Sequence, residues 1–343
     1  MLFVSIVLPS ACLAGVAASA DLPTRSRVIV VEDAEATEVF RPRLERMRSM
    51  VERGLTNLTQ KPAIGAAWRT LVTTQDVVGI KVYAAPGPSA GTRPAVVVGL
   101  VETLLAAGIS PHRIIIWDRQ RADLRAAGFV DLASRYGVRV EGSVNAGYDE
   151  EIYYSPVRPI IGQLIWGDVE FGRKGEGVGR RSYVSRLVSR DMTKIVVVTP
   201  MLNHNTIGVC GHLYSLAFGS VDNTIRFEND LYRMSDAVPE IFGLPVLNDR
   251  VVLCVTDALI CQYEGEKSGL LHYSTPLNEL RFSRDPVALD ILSLRDLERQ
   301  RVAMGIAPTR GQYYTNQVEL LNNAALLELG VSDIGSIRVE RAP

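Results

Sequence analysis

Four short apolar runs stand at wide intervals along the chain: VVGIKVY at 77–83, HRIIIW at 112–117, KIVVVT at 194–199 and RVVLCVT at 250–256. A strand with one wet face alternates apolar and polar residues. Continuous runs of Val and Ile belong instead to a parallel sheet covered on both faces. Between the first two lies VVVGLVETLLAAG, with Pro94 fitting a first helical position and Gly108 a stop. Strand, helix and strand in about forty residues is a βαβ unit, which requires a parallel pair.

The same patterning predicts a strand at 27–32 and helices at 36–58, 62–72, 207–218 and 286–304. Asp285 and Pro286 read as the cap and first turn of the last helix. Residues 142–190 are richer in Gly, Tyr and Arg, with alternation near 152–154 and 164–171. They read as a β-type insertion with a flexible Gly-rich loop (GRKGEGVG, 172–179) inside one domain spanning 21–343. The fold class is α/β, with a mainly parallel, doubly covered sheet in Rossmann-like layers.

Charge narrows the partners. A net charge of −1 over 343 residues, with Lys and Arg scattered, argues against nucleic acid. Residues 2–20 carry no charge and end in Ala18-Ser19-Ala20 before Asp21. That layout predicts a signal peptide over 1–20 cleaved after Ala20, hence export to the periplasm or beyond with no stable membrane insertion afterwards. No basic residue precedes the apolar run, unlike the usual signal. Cys210, Cys254 and Cys261 remain, too few for a disulfide framework and without cluster spacing; isolated buried thiols are expected. The histidines at 112, 204, 212 and 272 show no metal-ligand spacing, so no metal is expected.

In open α/β sheets, ligands sit beyond the carboxyl ends of the strands. The first run contains Lys81 and opens a Pro/Gly loop leading to Arg93; the second ends in Asp118-Arg119. The third leads to His204 and Asn205 ahead of a helix start, and the fourth ends at Asp257. Lys81, Asp118, His204 and Asp257 are therefore expected to converge on one concave pocket, with Arg93 at its mouth. The helix from 207 should aim N–H groups into it. Each residue has a structural alternative: Lys81 snorkelling to the sheet edge, Asp118 and Asp257 capping helices, Arg93 and Arg119 in surface ion pairs. Cys210 and His212, two apart on the expected helix, diverge and do not suit a catalytic pair.

These blocks resemble the domain-of-unknown-function-362 (DUF362) family over about residues 67–305. The stretches are AWRTLVTTQDVVGIKV with TRPAVVVGLVETLLAAGISPHRIIIWDR, KIVVVTPMLNHNTIGVCGHLYSLAFGSVDNTIR, then VTDAL and SRDPVALD. The resemblance implies retained family positions at Lys81, His204, Asn205, Gly208, Gly219, Asn223 and Arg226. Leu202 and Tyr214-Ser215 replace expected lysines, and Glu228 an expected histidine. Some relatives carry ferredoxin-type cluster domains, which this sequence lacks. The opening block is also similar, distantly, to the N-terminal part of the lactate racemase family, with a TRP tripeptide at the same place.

Three functional readings follow. In the first, an exported enzyme acts on a small anionic molecule or uses a cofactor of unknown identity. His204 and Asp257 serve as acid and base, and Lys81, Arg93, Asp118, Arg119, Asn205 and Arg226 bind the ligand. In the second, a binding or accessory module has kept the pocket and lost the chemistry along with the lysines. In the third, a maturation factor relies on a redox partner that supplies the cluster.

Overall fold

The computed structural model describes residues 26–155, 181–228, 230–310 and 312–343. Its main sheet contains β1 (Ser26–Glu32), β2 (Val78–Val82), β3 (Ile114–Asp118), β4 (Arg139–Gly142), β5 (Lys194–His204), β6 (Val251–Gln262), β7 (Ser274–Ser283) and β8 (Ile337–Arg341). Their order across the sheet is β8-β1-β7-β6-β5-β2-β3-β4. The five strands from β6 to β4 run parallel, and β7 pairs antiparallel with both β6 and β1. Leu253, Val196, Ile80, Ile116 and Val140 form one row across the parallel part, all buried.

Both faces of this row are covered, as continuous apolar strands require. Helices α1 (Leu44–Thr59) and α2 (Pro94–Ala106) close one face through Met47, Met50, Val51, Leu100 and Leu104. Helices α3 (His212–Ser220), α4 (Leu231–Phe242), α5 (Pro286–Ala303) and α6 (Gln312–Leu326) lie on the other. Asp285 caps α5 by accepting the Ala288 N–H at 2.8 Å. The α/β sheet with Rossmann-like layers is therefore present. Among the described residues no helix is long and apolar enough to cross a membrane. Cys210, Cys254 and Cys261 are free and buried.

Three boundaries differ from expectation. The helix expected from residue 36 begins at Leu44, because Val39 and Phe40 take left-handed φ of 47° and 60°. Thr37–Glu38 there pairs with Arg41–Pro42 in a small hairpin. The helix expected from 207 begins at His212. Gly208, at φ 84°, first turns the chain back to pair with the end of β5. The segment expected to be helical over 62–72 is helical only at Ile64–Arg69. In the insertion, Tyr148–Tyr154 pairs antiparallel with Ser182–Ser185. The expectations for residues 1–20, 164–171 and 172–179 lie outside the described residues.

Candidate functional site

The charged residues of the parallel strand ends are locked to one another. Lys81 is fully buried, and its Nζ donates to Asp118 Oδ1 at 2.8 Å, Ser215 Oγ at 3.0 Å and the Val82 carbonyl at 2.6 Å. Burial lowers the Lys81 pKa, and the Asp118 charge opposes that shift. The other Asp118 oxygen accepts the Ala84 N–H at 2.7 Å. Asp257, also fully buried, accepts the Arg93 N–H and Nη1–H, both at 3.0 Å, and the Leu259 N–H at 3.3 Å. Arg93 Nη2 donates to the carbonyls of Ser89 and Ile260. The expected convergence of Lys81, Asp118, His204 and Asp257 on one pocket is thus replaced by two closed ion pairs.

The expected anion site at the helix start is closed as well. The first N–H groups of α3, from His212 and Leu213, donate to Asp290 at 2.8 and 3.0 Å. His212 Nδ1 lies 2.8 Å from the same carboxylate, and Thr199 Oγ1 lies 3.3 Å from His212 Nε2. A carboxylate of the chain itself occupies the place of an anion. Arg119 and Arg226 are elsewhere: Arg119 Nη1 donates to Thr224 Oγ1 at 2.7 Å, and Arg226 Nη1 to Ser182 Oγ at 3.4 Å.

His204 and Asn205 do reach a cavity. A cleft of about 370 Å³ opens where β5 ends, lined there by Asn203, His204, Asn205 and Gly208. Leu294, Leu297, Glu298 and Arg301 of α5 form its opposite wall, with Glu264, Thr309, Arg310 and Gln317 completing it. The segment after β6 overhangs this end of the sheet. Asn203 Oδ1 accepts the Glu266 N–H at 3.0 Å, and Gln262 Nε2 donates to the Glu266 and Ser268 carbonyls. Arg301 pairs with Glu264 and, at 3.5 Å, with Glu298; Thr309 donates its N–H and hydroxyl to Glu298. Arg310 is exposed and makes no ion pair among the described residues. Among the described residues no group of His, Cys, Asp and Glu is arranged to hold a metal.

His204 is the last residue of β5, not a loop residue, and its chemistry follows from its contacts. Nδ1 accepts the N–H groups of Thr206 and Ile207 at 3.2 and 3.4 Å, which leaves the proton on Nε2. Nε2 lies 3.6 Å from Glu266 Oε1, and the ring meets the Tyr214 ring at 4.7 Å. Burial, helped by the charge of Lys267, lowers its pKa from 6.5 to about 4. The side chain is therefore a neutral donor at neutral pH. Its stabilising contribution is complete above about pH 6.5 and is lost as pH falls towards 4, by up to ~3 kcal/mol. A nitrogen-15 NMR titration should show the Nε2–H tautomer persisting to about pH 4; a midpoint near 6.5 would contradict this.

Sequence reasoning missed Asp290, Arg301, Arg310 and Gln317. Gln317 carried a signal: it stands three, four and seven residues before Leu320, Leu321 and Ala324, in register with a buried stripe.

No family model matches the chain, and no curated protein matches it. Among solved structures, the crystal structure of a Thermotoga maritima protein is similar over 77% of this chain, at 13% identity and a TM-score of 0.41. The chain spans 60% of that protein's length.

Proposed function

We propose that this chain is an exported, DUF362-type binding protein that holds a small anionic molecule in the cleft at the end of β5. The observation that carries the reading is the lining of that cleft. A cation without an ion pair among the described residues, Arg310, shares a cavity of about 370 Å³ with the neutral donors His204 and Asn205. That volume falls in the range of roughly 300–1,000 Å³ that small-molecule sites occupy.

Binding is favoured over catalysis because both acid–base candidates are engaged. The basic nitrogen of His204 accepts two backbone N–H groups, and both Asp257 oxygens are held by Arg93 and Leu259 without exposure. Leu202, where the family resemblance implies a lysine, is fully buried. Export rests on the uncharged residues 2–20.

Native mass spectrometry of the protein from its own host tests both parts. A chain starting at or near Asp21 with a small anionic adduct is expected, and Arg310→Glu should release the adduct. An adduct-free wild type, or the same adduct on Arg310→Glu, contradicts the binding reading. A chain retaining Met1 contradicts export.

A further inference from the structure

Gln317 is an enclosed polar side chain of the cleft wall. It is only 5% exposed, lines the cleft, and makes no hydrogen bond among the described residues. Its carboxamide is seated against Gly208. A Cβ at that position would lie 2.8 Å from Gln317 Cδ, 2.9 Å from its Oε1 and 2.4 Å from Leu294 Cδ1. The glycine, at φ 84°, leaves the space that the amide occupies. The oxygen and nitrogen of the Gln317 amide are nonetheless not sealed from the cleft. With no hydrogen-bond partner among the described residues, the amide is open to whatever occupies the cleft, water or a ligand.

The surroundings define that partner. A carboxamide offers one acceptor and two donors, so it reads a neutral group with both functions better than it reads a bare anion. Leu294 and Leu297, 7% and 2% exposed, supply an apolar wall. Asn205 Oδ1 already accepts from Asn203 Nδ2 at 3.0 Å, which leaves the Asn205 amino group for an acceptor. Glu264 and Glu298 in the wall oppose a multiply charged ligand such as a polyphosphate.

Resting on the reading of this cleft as an anion site, we infer that its ligand carries an amide beside a single carboxylate and an apolar side chain, and that Gln317 reads the amide. N-acylated apolar amino acids and the C-terminal residue of a short peptide have this chemistry. Arg310 and the Asn205 amino group meet the carboxylate, Gln317 donates to the amide carbonyl or accepts from its N–H, and Leu294 and Leu297 contact the side chain.

Titration calorimetry with two probes tests the inference. N-acetyl-L-leucine has all three features; 4-methylpentanoate keeps the same carboxylate and alkyl chain without the amide. The wild type should bind N-acetyl-L-leucine about tenfold more tightly or better. Gln317→Leu should abolish that preference while leaving the affinity for 4-methylpentanoate unchanged. Its melting temperature should stay close to that of the wild type, since Gln317 makes no hydrogen bond among the described residues. If Gln317→Leu does not fold, Gln317→Glu, which lacks the amide donors, should abolish the preference too. Equal wild-type affinities, or a preference that survives both substitutions, overturns the amide reading and leaves the anion site standing. Failure of both probes to bind, or binding indifferent to Arg310→Glu, overturns the anion site itself.

Discussion

Lys81→Met is expected to destabilise the protein by about 3–5 kcal/mol, the typical cost of removing one partner from a buried ion pair. The substitution leaves Asp118 only 5% exposed and without the counter-charge 2.8 Å away. Methionine restores the volume of the stem but neither the charge nor the bonds to Ser215 and Val82. The stem cannot readily move aside, since it fills the space left by Gly219, where a Cβ would lie 2.0 Å from Lys81 Cε. Adding Asp118→Asn should recover much of the loss, because Asn removes the stranded charge yet still accepts the Ala84 N–H. Urea unfolding of the single and double variants measures this; a single variant within about 0.5 kcal/mol of wild type would show that the pair is not structural. A Lys81 that served only to bind the ligand, as the sequence suggests, would leave stability nearly unchanged when replaced. The buried pair reverses that expectation.

Arg93→Ala is expected to cost a similar amount, about 3–5 kcal/mol, and to loosen the loop that carries it. Asp257 would keep two backbone donors but lose the guanidinium, inside a site with no exposure. The Ser89 and Ile260 carbonyls would lose a shared donor at 3.2 and 3.3 Å. Arg93→Lys should rescue little, because one ammonium cannot match a planar fork that spans a carboxylate and two carbonyls. Unfolding measurements, with hydrogen exchange over residues 84–93, check both parts. Unchanged stability and exchange in Arg93→Ala would contradict the closed pair.

The four apolar runs made the parallel sheet legible, because a continuous run of Val and Ile between helical segments has few other folded solutions. The placement of charge at the strand ends was legible too, but its partners were not. Lys81 finds Asp118 because β2 and β3 align Lys81 with Trp117, a register that neither run states alone. Likewise β5 continues through Pro200 to His204, where a proline would normally mark the end of an inner strand. Gly208 then turns the chain back before α3 starts, so the anion site expected at residue 207 never forms. Gln317 and Arg310 lie far along the chain from the strand ends, and only the packing of α5 and α6 brings them to His204.

Amide chemical-shift mapping with N-acetyl-L-leucine tests the central claim most directly, since it asks which end-of-strand region meets the ligand. Perturbations should centre on Asn205, Gly208 and Gln317, with a shift of the His204 imidazole. Perturbations centred instead on Ala84, Gly91 and Ser215, around the Lys81 and Arg93 pairs, would contradict the account.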